Sequence, residues 1–291
     1  GGIAGDALNT GSNNTVVGKQ ALSADTKGST AIAIGQLALA SQNFTTATDN
    51  HNVAMGYAAG LSVTTGISNT IVGGLAGDAL TDADYNVAIG LGSLGADTLG
   101  SKSVAVGTAA LQAQNFTTAT DSYNTAVGHN AGNDITTGTN NTLVGGLAGD
   151  ALTAAFENTA VGESSLGSDT LGRRTVAIGS GALQTQNFTT ATNSYNVAVG
   201  YDAGVLVTTG LNNTIVGGLS GDALTDADFN VAVGTEALTS DTMGSKSTAI
   251  GYSSLATQNF TTATDSFNTA VGYLAGYAVT TGTQNLSLIH I

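Results

Sequence analysis

The sequence predicts an all-β chain wound as a parallel β-roll or β-solenoid of about sixteen coils, each 17 to 21 residues long. Three observations predict it. A glycine closes each of a series of "NTAVG"-like motifs at Gly1, Gly18, Gly35, Gly56, Gly73, Gly90 and onward to Gly272, in steps of 17, 17, 21 and 17 that repeat without error and sum to 72. With 41 Gly, no Pro, Cys or Trp and 9% charged residues, the chain is denied an ordinary core of large side chains. Branched apolar residues nonetheless recur at fixed places, which separates it from a disordered polar chain. A unit this short buries its apolar face only by stacking on its neighbours.

The strand comes first in each unit. If "NTAVG" is extended, Thr125 and Val127 share one face and Ala126 and Gly128 the other. The residue before the glycine is branched or bulky apolar throughout, as at Val17, Ile34, Met55, Val72 and Ile89. Three residues after the glycine sits a small one (Ala21, Ala59, Ser93, Ala131), and four after it Leu or Gly (Leu22, Gly60, Leu94, Gly132). Asn and Gly then turn the chain, since both tolerate positive φ. Helix loses, because Gly, Thr, Asn and Val with a break every few residues have low helical propensity. Asn52, Asn69, Asn86, Asn124, Asn141 and their equivalents predict an amide ladder along the stacking direction. At about 4.8 Å per strand, sixteen coils make a rod of roughly 75 Å and one 72-residue cycle advances roughly 19 Å. The hexapeptide "NFTTAT" begins at Asn43, Asn115, Asn187 and Asn259, always inside the long step, and reads as a bulge on one side of the rod.

"NTAVGHNAG" (Asn124 to Gly132), "NVAVGYDAG" (Asn196 to Gly204), "STAIGYSSLA" (Ser247 to Ala256) and "SVAVGTAAL" (Ser103 to Leu111) resemble the head repeats of YadA-like trimeric autotransporter adhesins. Similar repeats occur in tail-fibre and other virion proteins. The resemblance spans Gly1 to Asn285, over steps longer than those of the familiar adhesin repeats. It implies a left-handed roll, a homotrimer of chains side by side, and attachment to a host-surface receptor or glycan. The implied place is the bacterial cell surface, with an outer-membrane anchor in a C-terminal part, or else a virion tail fibre. The residues add partial support for the trimer. A coil such as Asn124 to Asn140 offers Val127 and Ile135 as its main large aliphatics, few for a wide monomeric helix, and the small residue after each glycine suits close approach of neighbouring chains.

Residues 1–285 read as one repeat domain. After Asn285 the register calls for a segment like Thr214 to Gly217, "TIVG", but the chain reads "LSLI". Leu286 to Ile291 can be encoded by CTG TCT CTT ATA CAC ATC, the mosaic end of transposase-based sequencing libraries, and are read as adapter read-through rather than native sequence.

The formal charge of −14, from 20 acids and 6 bases, excludes a surface that tracks phosphate backbones, so nucleic acid is not expected as a partner. No run of eighteen apolar residues inserts this segment into a membrane. No enzyme, cofactor or metal site is expected. "GLGSLG" (Gly90 to Gly95) matches a dinucleotide fingerprint, but no helical pattern follows it. His51 and His129 occupy surface ladder positions, and His290 lies in the tail. Two sets of acids recur in phase: Asp6, Asp78, Asp150 and Asp222, then Asp25, Asp97, Asp169 and Asp241. Calcium is conceivable among them, but their sparseness favours solvated loop charges. Lys102, Arg174 and Lys246 follow the second set by five residues and suggest modest ion pairs. Glycoside hydrolysis needs a close pair of acids that no departure from the repeat supplies. An ice-binding solenoid needs a denser Thr array than one "TAT" and one "TTG" per cycle. The outward candidates for contact are aromatic: Phe44, Phe116, Phe188 and Phe260 of the hexapeptide, with Tyr85, Tyr123, Tyr195, Phe229 and Phe267 just before the ladder Asn. They form a receptor-binding stripe, or they cover the core edge or a trimer seam.

Overall fold

The computed structural model describes residues 2–288. It is a parallel β-solenoid with no helix among the described residues. The chain divides into two compact units, Gly1–Asn141 and Thr142–Ile291. In the first, seven three-residue strands run from Thr15–Val17 to Thr125–Val127. In the second, nine run from Thr142–Val144 to Leu286–Leu288. Within each unit every strand pairs in parallel with the next coil's strand, residue for equivalent residue, as in Thr70↔Val87 and Thr214↔Val231. At each long step a second, two-residue ladder forms, for example Gly100–Ser101 with Thr120–Asp121 and Gly172–Arg173 with Thr192–Asn193.

The period-two alternation holds, with the strand's middle residue turned inward. Ala54, Ile71, Ala88, Ala126, Leu143 and Ala160 are fully buried. The first and third residues of each strand turn outward. Val127, expected among its coil's core aliphatics, is instead 36% exposed, whereas Ile135 is buried as expected. The core is thin, and volume is shared between positions. Where the residue four after the ladder glycine is Gly, a large side chain fills the space: a Cβ on Gly149 would come within 2.8 Å of both Leu143 Cδ2 and Leu152 Cδ1. Where that residue is Leu, as at Leu94 and Leu166, the strand centre is Ala88 or Ala160. Such complementary filling is what close packing requires. Leu143→Ala is accordingly expected to cost about 3 kcal/mol in urea unfolding, since rigid neighbouring coils cannot collapse on the hole.

The asparagine ladder is buried. Oδ1 of Asn52 accepts the backbone N–H of Asn69 at 2.9 Å, and Oδ1 of Asn69 accepts that of Asn86 at 2.9 Å. Each Nδ2 donates onward within the turn, Asn69 to the Ala83 carbonyl at 2.7 Å. The residue just before the ladder position stands at positive φ in coil after coil, whether it is Asn13, Ser68, Tyr85, Lys102 or Phe267. That corner directs its side chain to solvent. The final strand keeps the same alternation: Ser287 takes the inward place, while Leu286 and Leu288 are 69% and 60% exposed. His290 lies outside the described residues.

Candidate functional surface

The hexapeptide is anchored by a buried carboxylate. Asp97 Oδ1 accepts the backbone N–H groups of Gly100 and Phe116, each at 3.0 Å, and Oδ2 accepts Nε2 of Gln114 at 2.6 Å. Thr98 closes the clasp by donating its hydroxyl to the Phe116 carbonyl at 2.8 Å. Gln114 Oε1 in turn accepts from Nδ2 of Asn124 at 2.9 Å, which ties the clasp to the amide ladder. The same set recurs around Asp25, Asp169 and Asp241. Gly100 is required because a Cβ there would overlap Asp97 Oδ2 and come within 2.8 Å of Phe116 Cδ2.

This overturns two expectations. Asp25, Asp97, Asp169 and Asp241 are fully buried, not solvated loop charges, because the inserted segment folds back over them. Phe44, Phe116, Phe188 and Phe260 are only 6% exposed and cannot serve as surface contacts. The long step is clasped at its phenylalanine, while Asn115, Thr117, Thr118 and Ala119 stay exposed. Burial pushes the Asp97 and Asp169 carboxyls above the ordinary carboxylate value, with the glutamine and backbone donors pulling the other way. The glutamines escaped notice in the sequence, although Gln42, Gln114, Gln186 and Gln258 directly precede every hexapeptide. They take over where the ladder lacks Asn: Gln114 donates to Ser103 Oγ at 2.9 Å.

The other five aromatic candidates are at the surface. Tyr85, Tyr123, Tyr195, Phe229 and Phe267 occupy the positive-φ corner and are 49% to 55% exposed. Lys102 stands over the Tyr123 ring, Arg174 over Tyr195 and Lys246 over Phe267, at 5.2, 5.8 and 5.3 Å from the ring centroids. These cations pair with Asp121, Glu157 and Asp265 rather than with the buried acids that precede them. Each of these pairs is solvent-exposed and so contributes little to stability. The mutual hydrogen bond raises Lys102 and holds Asp121 down. His51 and His129 are exposed, and Thr30 Oγ1 lies 3.2 Å from His51 Nδ1. Among the described residues, no group of three or more His, Asp or Glu is arranged to hold a metal ion.

The outward face of the long sheet is the remaining surface of note. In the second unit its rows read Thr159, Val176, Val197, Thr214 on one side and Val161, Ile178, Val199, Val216 on the other. Val17, Met55, Ile89, Ile178, Ile250 and Val271 are 37% to 55% exposed. No family model, curated protein or solved structure matches the chain.

Proposed function

We propose that the chain is a non-enzymatic segment, head or shaft, of a trimeric adhesive fibre at the bacterial cell surface, wound left-handed and associating with two further copies of itself. The observation that carries the reading is the unpartnered outward face of the sheet. In the nine-strand unit it extends roughly 40 Å by 10 Å, about 400 Å² of Val, Ile and Thr side chains, the size of the largest patch on a typical monomer and often a functional one. Burying it between three chains adds apolar contact that the thin cores of Ala and single Leu residues lack. The exposed aromatic and basic corner is then left for receptor or glycan contact. A phage tail fibre uses the same architecture and is the alternative source of the segment.

The test is the solution mass of residues 1–285, expressed with a cleavable trimerising coiled coil. A protease-resistant trimer that persists after cleavage is the expected result. Val216→Lys with Val233→Lys, both outward, should release folded monomers with unchanged β signal. A stable monomer in the unmutated chain would remove the trimeric fibre. In that case thermal hysteresis of ice growth would be measured, because the Thr and Val rows of the sheet face are also what an ice-binding plane presents.

A further inference from the structure

A strictly repeating chain is most informative where one cycle departs from the repeat, and here several departures fall together. In the second unit the cycle containing Asp226, Asp228, Phe229, Ser245, Lys246 and Asp265 has as its counterpart Ala154, Phe156, Glu157, Arg173, Arg174 and Asn193. The first set carries a net charge of −2 and the second +1, on a chain of −14. Asp82, Asp84, Tyr85, Ser101, Lys102 and Asp121 of the first unit carry −2 as well. The changed residues lie together on consecutive coils: Arg173 pairs directly with Asn193 across the short ladder, where Ser245 pairs with Asp265.

The fold does not need these arginines. At the position of Arg173, Ser245 suffices and accepts the backbone N–H of Asp228 at 2.9 Å. Arg173 instead lies over the Phe156 ring, 4.1 Å from guanidinium carbon to centroid. It has no carboxylate partner among the described residues, and its Nε is buried without a hydrogen-bond partner. Arg174 commits Nε to Glu157 at 2.7 Å and Nη1 to the Tyr195 hydroxyl at 2.9 Å. With Asn193 where the next cycle has Asp265, Glu157 is the one carboxylate of the set, and it engages Arg174 rather than Arg173.

We propose that Arg173 and Arg174, seated by Phe156 and flanked by the exposed Tyr195 ring, form a binding site for a carboxylate-bearing sugar of an acidic glycan. A guanidinium fork matches a planar carboxylate in bidentate fashion, and a neighbouring guanidinium strengthens the field at that point. Tyr195 supplies a ring against which a pyranose packs. The Tyr195 ring and the Arg174 side chain are both exposed at this corner and within reach of a ligand. The site deepens the adhesive reading by naming the chemistry held, and it rests on that reading for its biological use.

The test titrates the full chain with an oligogalacturonate, with neutral maltodextrin and poly-glutamate as comparison probes, at low and high salt. Binding of the oligogalacturonate alone, weakening with salt, is the expected result. Arg173→Ser, which restores the residue of the other cycles, should weaken it roughly tenfold or more, the scale of one charge-assisted hydrogen bond. Transplanting the cluster into the last cycle (Asp226→Ala, Asp228→Phe, Phe229→Glu, Ser245→Arg, Lys246→Arg, Asp265→Asn, Phe267→Tyr) should add a second site per chain. No binding of the oligogalacturonate, or binding unchanged in Arg173→Ser, overturns the site. Equal binding of poly-glutamate overturns the sugar assignment in favour of an acidic peptide. A change of assembly mass in Arg173→Ser would assign the arginines to contact between copies and overturn it too. A trimer that ignores the oligogalacturonate removes this site and leaves the fibre intact, whereas a monomer that binds it does the reverse.

Discussion

Asp97→Ala is expected to destabilise the first unit by about 3 to 5 kcal/mol, enough to open the long step locally or unfold the unit. Three buried donors, the N–H groups of Gly100 and Phe116 and Nε2 of Gln114, lose their acceptor at once. None has a second partner within easy reach except Nε2, which also bonds Ser103 Oγ. The readout is hydrogen exchange, with the amides of Gly100 and Phe116 losing protection first, alongside the urea midpoint. Asp97→Asn is also costly, because its amide would present a donor to a donor. Turning Gln114 over would only transfer the conflict to Asn124 Nδ2. The carboxylate, an acceptor on both oxygens, sets the polarity of the whole amide chain.

The same group carries a pH dependence whose sign is unusual for an acid so well hydrogen-bonded. Burial raises the folded Asp97 and Asp169 carboxyls above 3.8, so the native chain binds these protons more tightly than the unfolded one. Their contribution is therefore most favourable below the unfolded value and declines as pH rises through the folded value. Asp121, held low by Lys102, works in the opposite sense. Comparing the urea midpoints of the wild type and an Asp97→Asn, Asp169→Asn variant across mildly acidic to neutral pH isolates the first effect. The wild type should gain relative to the variant on acidification, and parallel curves would refute the assignment.

Gly73→Ala is the second large effect, at about 3 to 5 kcal/mol, set against a nearly silent Gly74→Ala next to it. Gly73 stands at φ +136°, and a Cβ there would sit 2.5 Å from the carbonyl oxygen and 2.7 Å from the carbonyl carbon of Gly90. Both are backbone atoms of a coil held by its own ladder, Gly90 N–H donating to Val72 at 2.8 Å. Neither can move aside. At Gly74 the nearest atom would be Leu91 Cδ1 at 3.5 Å, and φ is not positive. Loss of unfolded-state freedom should make that substitution neutral or slightly stabilising. Equal midpoints for the two variants would mean that the glycine ladder is not the close contact described.

The sequence by itself determined the solenoid, the coil length, the parallel stacking and the asparagine ladder. Each of these follows from periodicity: equivalent residues stack because only a fixed step lets Gly73 meet Gly90 and Asn69 meet Asn86. It also placed Tyr85, Tyr123, Tyr195, Phe229 and Phe267 on the surface. Alternation told which residues share a face, but not which face is inside. Only the tertiary structure decided that Val127 points out and Ala126 in, because the choice depends on how much volume the opposite wall of the coil already fills. It likewise decided that the bulge "NFTTAT", whose Asn115, Thr117, Thr118 and Ala119 are exposed, is clasped to the coil through a buried Phe116. A polar hexapeptide with one Phe reads as exposed until Asp97, eighteen residues earlier in the chain than Asn115, is seen to supply the acceptor that lets Phe116 and its backbone be buried. Hydrogen-bond satisfaction across coils is a property of the stack, and no single repeat states it.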